Sequence, residues 1–281
     1  MKRPNSKAHL DAAIQRLAAA KTYDSLFIEI RTLIANVVVG QILPDCVIKG
    51  GSALKLRYGR RQTRFTLDFD AASRMERKSF IEAMRENLAN GWCDFTGTMD
   101  IERPAKPKGV PPEYVMQPFT IHLDYCGKAW CSVRFELGHD EIGDADMAEL
   151  APAAPDIVEI FRELGFPDPQ PSPLMPLKFQ LAQKLHGLSE PGSTRVRDLV
   201  DLQLIMGNSK IDLAEAREVC QRLFAYRKRQ PWPPKVVIGD GWDIQYQAQK
   251  YNLPILPSVD EAVAWANDLI QRIDDAEAAP D

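Results

Sequence analysis

The sequence predicts an α+β protein: a mixed sheet with flanking helices over residues 1–150, then a mainly helical lobe over 151–281. Two observations carry this. Runs that alternate apolar and polar residues, the mark of half-buried strands, fall in the first half, at 64–70, 119–125 and 133–137. Beyond a proline-rich break the apolar residues recur every three or four positions instead, as at Leu177, Leu181, Leu185 and Leu188.

Taken in order, Leu10, Ile14 and Leu17, then Leu26, Ile30, Leu33 and Ile34, predict two helices within 6–42. Pro44 ends the second, and 45–48 reads as a short strand entering the turn Gly50-Gly51-Ser52. Residues 53–58 read as a short helix and 64–70 as a strand. Phe80, Met84 and Leu88 predict a helix over 79–90, stopped by Gly91. Residues 95–101 read as a strand and 103–112, RPAKPKGVPP, as a loop. The clearest hairpin is 118–137, turning at Gly127-Lys128. LAPAAP at 150–155 and GFPDPQPSPLMP at 165–176 read as an interdomain connection around one short helix. In the lobe, helices are expected from 177, over 195–206, from an Asp212 cap to about 229, and from the capping box of Ser258 and Glu261 to about 273. A small strand is expected at 235–239, and the tail DDAEAAPD is expected to be disordered.

Composition narrows the class. With 45% hydrophobic and 26% charged residues the chain reads as a globular protein, and no apolar run approaches the ~20 residues of a membrane span. The N-terminal residues MKRPNSKAHLDAAIQRL lack the apolar core of a secretory signal. Five scattered cysteines, an odd number, fit a reducing compartment, so a cytoplasmic protein is expected. Cys126 and Cys131 read as lone thiols across a turn, since a zinc site needs further ligands. A net charge of −4 and a pI near 5.7 argue against a protein that coats nucleic acid; any such contact must come from local patches.

The chemistry concentrates in residues 48–70, IKGGSALKLRYGRRQTRFTLDFD. On an alternating strand Arg64, Thr66, Asp68 and Asp70 share one face, opposite Phe65, Leu67 and Phe69. Two carboxylates so spaced lie roughly 6.5–7 Å apart at the backbone and can converge on a hard cation held together with substrate phosphates. Gly51 and Ser52, at the start of a helix, can offer backbone N–H groups and a hydroxyl to a phosphate. Arg57, Arg60, Arg61 and Arg64 add guanidinium groups suited to phosphate. A Gly-Gly-Ser alone is usually a turn, and a D-x-D alone is more often a solvated strand edge. Together they have the layout of a nucleotidyl-transfer site.

This stretch resembles the pattern K-G-G-S/T-A-L-x-L-R-Y-G followed by R-F-S/T-x-D-x-D of the AbiEii/AbiGii toxin nucleotidyltransferases, within the DNA polymerase β-like superfamily. A second block, LAQKLHGL at 181–188 and RVRDLVDL at 195–202, is similar to that family's A-x-K-L-x-A-L and R-x-K/R-D-x-x-D-L. The resemblance implies a polymerase β-like fold with a cleft between sheet and lobe. It implies transfer of a nucleoside monophosphate from NTP with Mg²⁺ or Mn²⁺, tRNA as acceptor, and a cognate antitoxin as partner. It assigns metal to Asp68, Asp70 and a third carboxylate on a neighbouring strand, Glu136, with Asp124 as the alternative. It assigns nucleotide contacts to Gly51, Ser52, Arg57 and Arg64. Lys184 and Asp198 would be catalytic, with Lys184 also meeting the triphosphate. A plain interhelix Lys184–Asp198 salt bridge is the other reading of that pair. His186 departs from the family's usual small residue and receives no role. Thr66, on the metal face of the strand, is the candidate for regulatory phosphorylation. Two rivals remain: transfer to a small-molecule or protein hydroxyl, and an idle nucleotide-binding module that keeps the fold.

Overall fold

A seven-stranded mixed sheet organises the first 174 residues. The computed structural model describes residues 2–20, 27–105, 115–249 and 252–277. Contacts divide it into two units: Met1–Arg60 with Phe65–Asp140 and Ala148–Leu174, and Arg61–Arg64 with Glu141–Met147 and Met175–Asp281.

The first unit begins with helices α1 (Lys7–Ala20) and α2 (Phe27–Ile42). From Ile30 to Val39 α2 is apolar on nearly every face, as a helix laid into a core must be. Strand β1 (Val47–Lys49) leads directly into α3 (Gly50–Tyr58), so Gly50-Gly51-Ser52 is the first turn of the helix rather than a loop before it. Then come β2 (Phe69–Ser73), α4 (Arg77–Asn90) stopped by Gly91 at φ 71°, β3 (Phe95–Ile101), β4 (Gln117–Tyr125) and β5 (Lys128–His139). Cys126 (φ 49°) and Gly127 (φ 68°) make the left-handed pair that a tight hairpin turn requires. Strand β6 (Glu149–Ala151), α5 (Pro155–Glu163) and β7 (Ser172–Leu174) complete the unit. The sheet order is β3-β4-β5-β2-β1-β7-β6. Phe69, Phe80, Phe119 and Phe135 stack over its centre with neighbouring rings 5.8–6.4 Å apart.

The second unit is helical: α6 (Leu177–Ser189), α7 (Val196–Asn208), α8 (Leu213–Arg227), α9 (Trp242–Gln249) and α10 (Val259–Asp274). Asp212 caps α8 by accepting from the Ala214 and Glu215 amides, and Ser258 caps α10 by accepting from Glu261 N. No helix among the described residues is long and apolar enough to cross a membrane. All five cysteines are free, and burial pushes the Cys46 and Cys131 thiols up to about 12.

Four expectations need correcting. The strand expected at 64–70 begins only at Phe69, because β1 offers three residues to pair with and β5 joins the register at Phe135. Residues 65–68 therefore lie outside the sheet, with Phe65 40% and Leu67 57% exposed, and the shared strand face invoked for Thr66 does not form. The division expected near 150 falls at 174 instead, since β7 pairs parallel to β1 (Ile48 with Leu174) and β6 pairs with β7. No strand forms at 235–239: the Asn267 side chain both accepts from Val236 N and donates to Val236 O, in place of a partner strand. Helix α9, which is not among the helices expected in the lobe, is held by buried Trp242 and Tyr246 one turn apart. Most of the loop expected at 103–112 and the end of the tail lie outside the described residues.

Candidate active site

Sheet register assembles the site in the first unit. Lys49 on β1 is opposite Asp70 on β2, and Asp70 is beside Glu136 on β5, so the three side chains form one row on one face. Asp124 lies on β4 near the hairpin turn, opposite Ala129, so the register sets Glu136 and not Asp124 next to the D-x-D. The Lys49 stem runs over β5, its Nζ 2.9 Å from where a Cβ on Gly138 would stand.

Gly50 is required twice over. Its φ is +64°, and a Cβ there would meet Asp70 Oδ2 at 2.5 Å. Gly50→Ala should cost about 1–2 kcal/mol for the left-handed backbone alone and displace the Asp70 carboxylate. We expect a lower melting temperature and at least ~10-fold less nucleotide transfer; wild-type values for both would show that the close approach is dispensable.

Ser52 is 2% exposed, and its hydroxyl donates to the Asp68 carbonyl at 2.8 Å. Expected to face a phosphate, the hydroxyl instead ties the D-x-D segment to α3. At that end the first turn of α3 carries no side-chain cap from Lys49. Arg57, also expected on nucleotide, is 18% exposed and pairs with Glu149 of β6 at 2.6 Å.

Asp68 and Glu136 converge on one guanidinium. Arg134, two residues before Glu136 on β5, has Nη2 3.3 Å from Glu136 Oε1 and Nε 3.9 Å from Asp68 Oδ1. Among the described residues no three His, Cys, Asp or Glu groups are gathered into a ready-made metal cage. The donors present suit Mg²⁺ nonetheless, because it is held by one or two carboxylates together with substrate phosphates. Oxygen-only ligands within reach of a single cation fit that pattern.

The second unit holds the other matched block. Lys184 on α6, its side chain 6% exposed, donates to Asp198 Oδ1 at 3.0 Å and Asp201 Oδ2 at 2.7 Å. Asp201 also takes a two-pronged bond from Arg64, 2.9 Å on each prong, and Asp198 takes Arg195 Nε at 2.5 Å. Burial alone would lower Lys184; Asp198 and Asp201 outweigh it and raise its pKa. Burial would raise Asp198, but Lys184 and Arg195 hold it down at about 2, and Lys184 and Arg64 likewise lower Asp201. Lys184 is thus enclosed by carboxylates rather than turned toward a triphosphate, and Arg64 by Asp201. Sequence reasoning gave Asp201 no role, although it sits three residues after Asp198, on the same face of α7.

His186 lies nearby on α6, 2% exposed, with Nδ1 3.4 Å from Arg227 Nη1 and Nε2 without a hydrogen-bond partner. A guanidinium can only donate, so Nδ1 accepts and the proton sits on Nε2. Burial, then Arg227, Arg195 and Arg229, depress its pKa to about 3. The sign follows: below pH ~6.5 the unfolded chain takes up a proton that the fold refuses, so stability falls with pH. By pH 5 the loss should be about 2 kcal/mol, or several degrees of melting temperature. Asp198 works in a lower window, its contribution intact above about pH 4 and lost as pH falls toward 2. Calorimetry of His186→Gln should show a flatter profile between pH 6.5 and 5; an unchanged slope would clear His186 of the effect.

A family model described as "Nucleotidyl transferase AbiEii toxin, Type IV TA system" matches residues 31–275. Among solved structures, the nucleotidyltransferase toxin MenT4 from Mycobacterium tuberculosis H37Rv shares the fold, with a TM-score of 0.61 at 15% identity over 95% of this chain and 90% of that one. JHP933 from Helicobacter pylori gives a TM-score of 0.47 at 13% identity over 88% of this chain and 90% of that one. None of the curated proteins matches the sequence.

Proposed function

The chain belongs to the AbiEii family of nucleotidyltransferase toxins of type IV toxin–antitoxin systems, and from that premise we propose a metal-dependent transfer of a nucleoside monophosphate from NTP to the 3′ acceptor end of tRNA. The observation that carries the site is the row of Lys49, Asp70 and Glu136 beside the uncapped start of α3. Asp68, Asp70 and Glu136 hold Mg²⁺ or Mn²⁺, which supplies charge neutralisation at the reacting phosphate. The first-turn amides of α3, Gly51 among them, hold the β- and γ-phosphates. Ser52 keeps Asp68 against α3. The acceptor hydroxyl oxygen bonds to the α-phosphorus as the bond to the bridging oxygen breaks. Pyrophosphate leaves with that electron pair, and the hydroxyl proton passes to water.

A family of toxin–antitoxin toxins implies an antitoxin partner. The net charge of −4 favours a rival acceptor, a protein or small-molecule hydroxyl, over a long RNA surface. Four labelled NTPs, offered separately with total tRNA or with cell protein, decide between them. Chelator-sensitive label on tRNA supports the reading, label on protein selects the rival, and label on neither overturns transfer.

A further inference from the structure

Among the guanidinium groups near the carboxylates, Arg134 is held differently from Arg57 and Arg64. Arg57 and Arg64 have side chains 18% and 11% exposed and close contacts to Glu149 and Asp201, at 2.6 and 2.9 Å. Arg134 is 65% exposed, and its contacts to Glu136 and Asp68 are longer, at 3.3 and 3.9 Å. An exposed pair at such distances is weakly bound and readily exchanged. It nevertheless holds Asp68 and Glu136 toward one point, relieving their mutual repulsion.

We propose that Arg134 is an exchangeable counter-ion of the metal carboxylates and, once displaced, a catalytic residue on the NTP. This rests on the transfer reading above. The oxygens that Arg134 touches are the ones assigned to the divalent cation, and like charges a few ångströms apart repel. Arg134 therefore leaves Asp68 and Glu136 when the cation binds. It remains tethered two residues from Glu136, on the same face of β5. From there its planar fork reaches two non-bridging phosphate oxygens, the geometry to which guanidinium is matched. Arg134 thereby guards the carboxylates in the resting enzyme and neutralises phosphate charge in the working one.

The two roles give opposite signs in one variant. In Arg134→Ala, Mn²⁺ titrated calorimetrically into nucleotide-free protein should bind about 3- to 10-fold tighter, because a competing cation is gone. Transfer at saturating Mg²⁺ and NTP should fall about 10²-fold. Arg134→Lys keeps the charge and loses the fork, so Mn²⁺ affinity should stay within ~2-fold of wild type while transfer falls at least ~10-fold. Unchanged or weaker Mn²⁺ binding in Arg134→Ala overturns the counter-ion role. Tighter binding with undiminished transfer overturns the phosphate role. Absence of transfer by wild-type protein is a separate result, which removes the functional reading itself.

Discussion

Asp68→Ala and Asp70→Ala should each abolish nucleotide transfer, by at least ~10³-fold, and with it growth inhibition. Nucleotidyl transfer asks little covalent chemistry of the protein; positioning and charge neutralisation at the phosphate are most of the catalysis. Asp70 stands between Lys49 and Glu136 in the row, and Asp68 is held by its own carbonyl to Ser52. Removing either carboxylate deletes a ligand without touching the aromatic core, so circular dichroism and melting should remain close to wild type. Growth inhibition persisting in a well-expressed Asp68→Ala variant would sink the mechanism.

Lys184→Met should act mainly on stability. It removes the cation shared by Asp198 and Asp201, both nearly inaccessible. Breaking a buried pair from one side typically costs 3–5 kcal/mol, because the remaining charge has lost its compensation. Arg195 and Arg64 still contact the two carboxylates, which favours the lower end. A melting temperature lower by on the order of 10 °C is expected. At a temperature where the variant is folded, transfer should fall less than ~10-fold. The converse outcome, a loss near 10²-fold at an unchanged melting point, would make Lys184 a phosphate contact after all.

What was legible in the sequence is what short-range chemistry specifies. The hairpin at 117–139, the Asp212 and Ser258 caps and the Gly91 stop depend on residues within a few positions of one another. The D-x-D and the Gly-Gly-Ser were legible for the same reason. What was missed depends on pairing across the chain. Phe65 and Leu67 alternate like strand residues, yet β1 stops at Lys49, opposite Asp70, and β5 pairs with β2 only from Phe135 onward. Residues 172–174 look like linker because Pro171 precedes them and Pro173 lies among them, but pairing of Leu174 with Ile48, 126 residues earlier, makes them a strand. Asp201 became recognisable as the hub of the Lys184 cluster only once Arg64, 137 positions away, met it. Arg134 shares the Glu136 face by simple strand alternation, but its reach to Asp68 needs the three-dimensional register.

The two units are interleaved along the chain, which passes from one to the other at 60/61, 64/65, 140/141, 147/148 and 174/175. Neither can therefore be detached by a single cut. A protease that nicked the chain at 174/175 would release a helical fragment lacking Arg64 and Glu141, the partners of Asp201 and Arg227. A gene fusion that borrowed residues 175–281 would inherit the same deficit. Neither the sheet nor the helical lobe is thus a piece that one cut, or one splice at 174/175, can lift out with its own ion pairs intact.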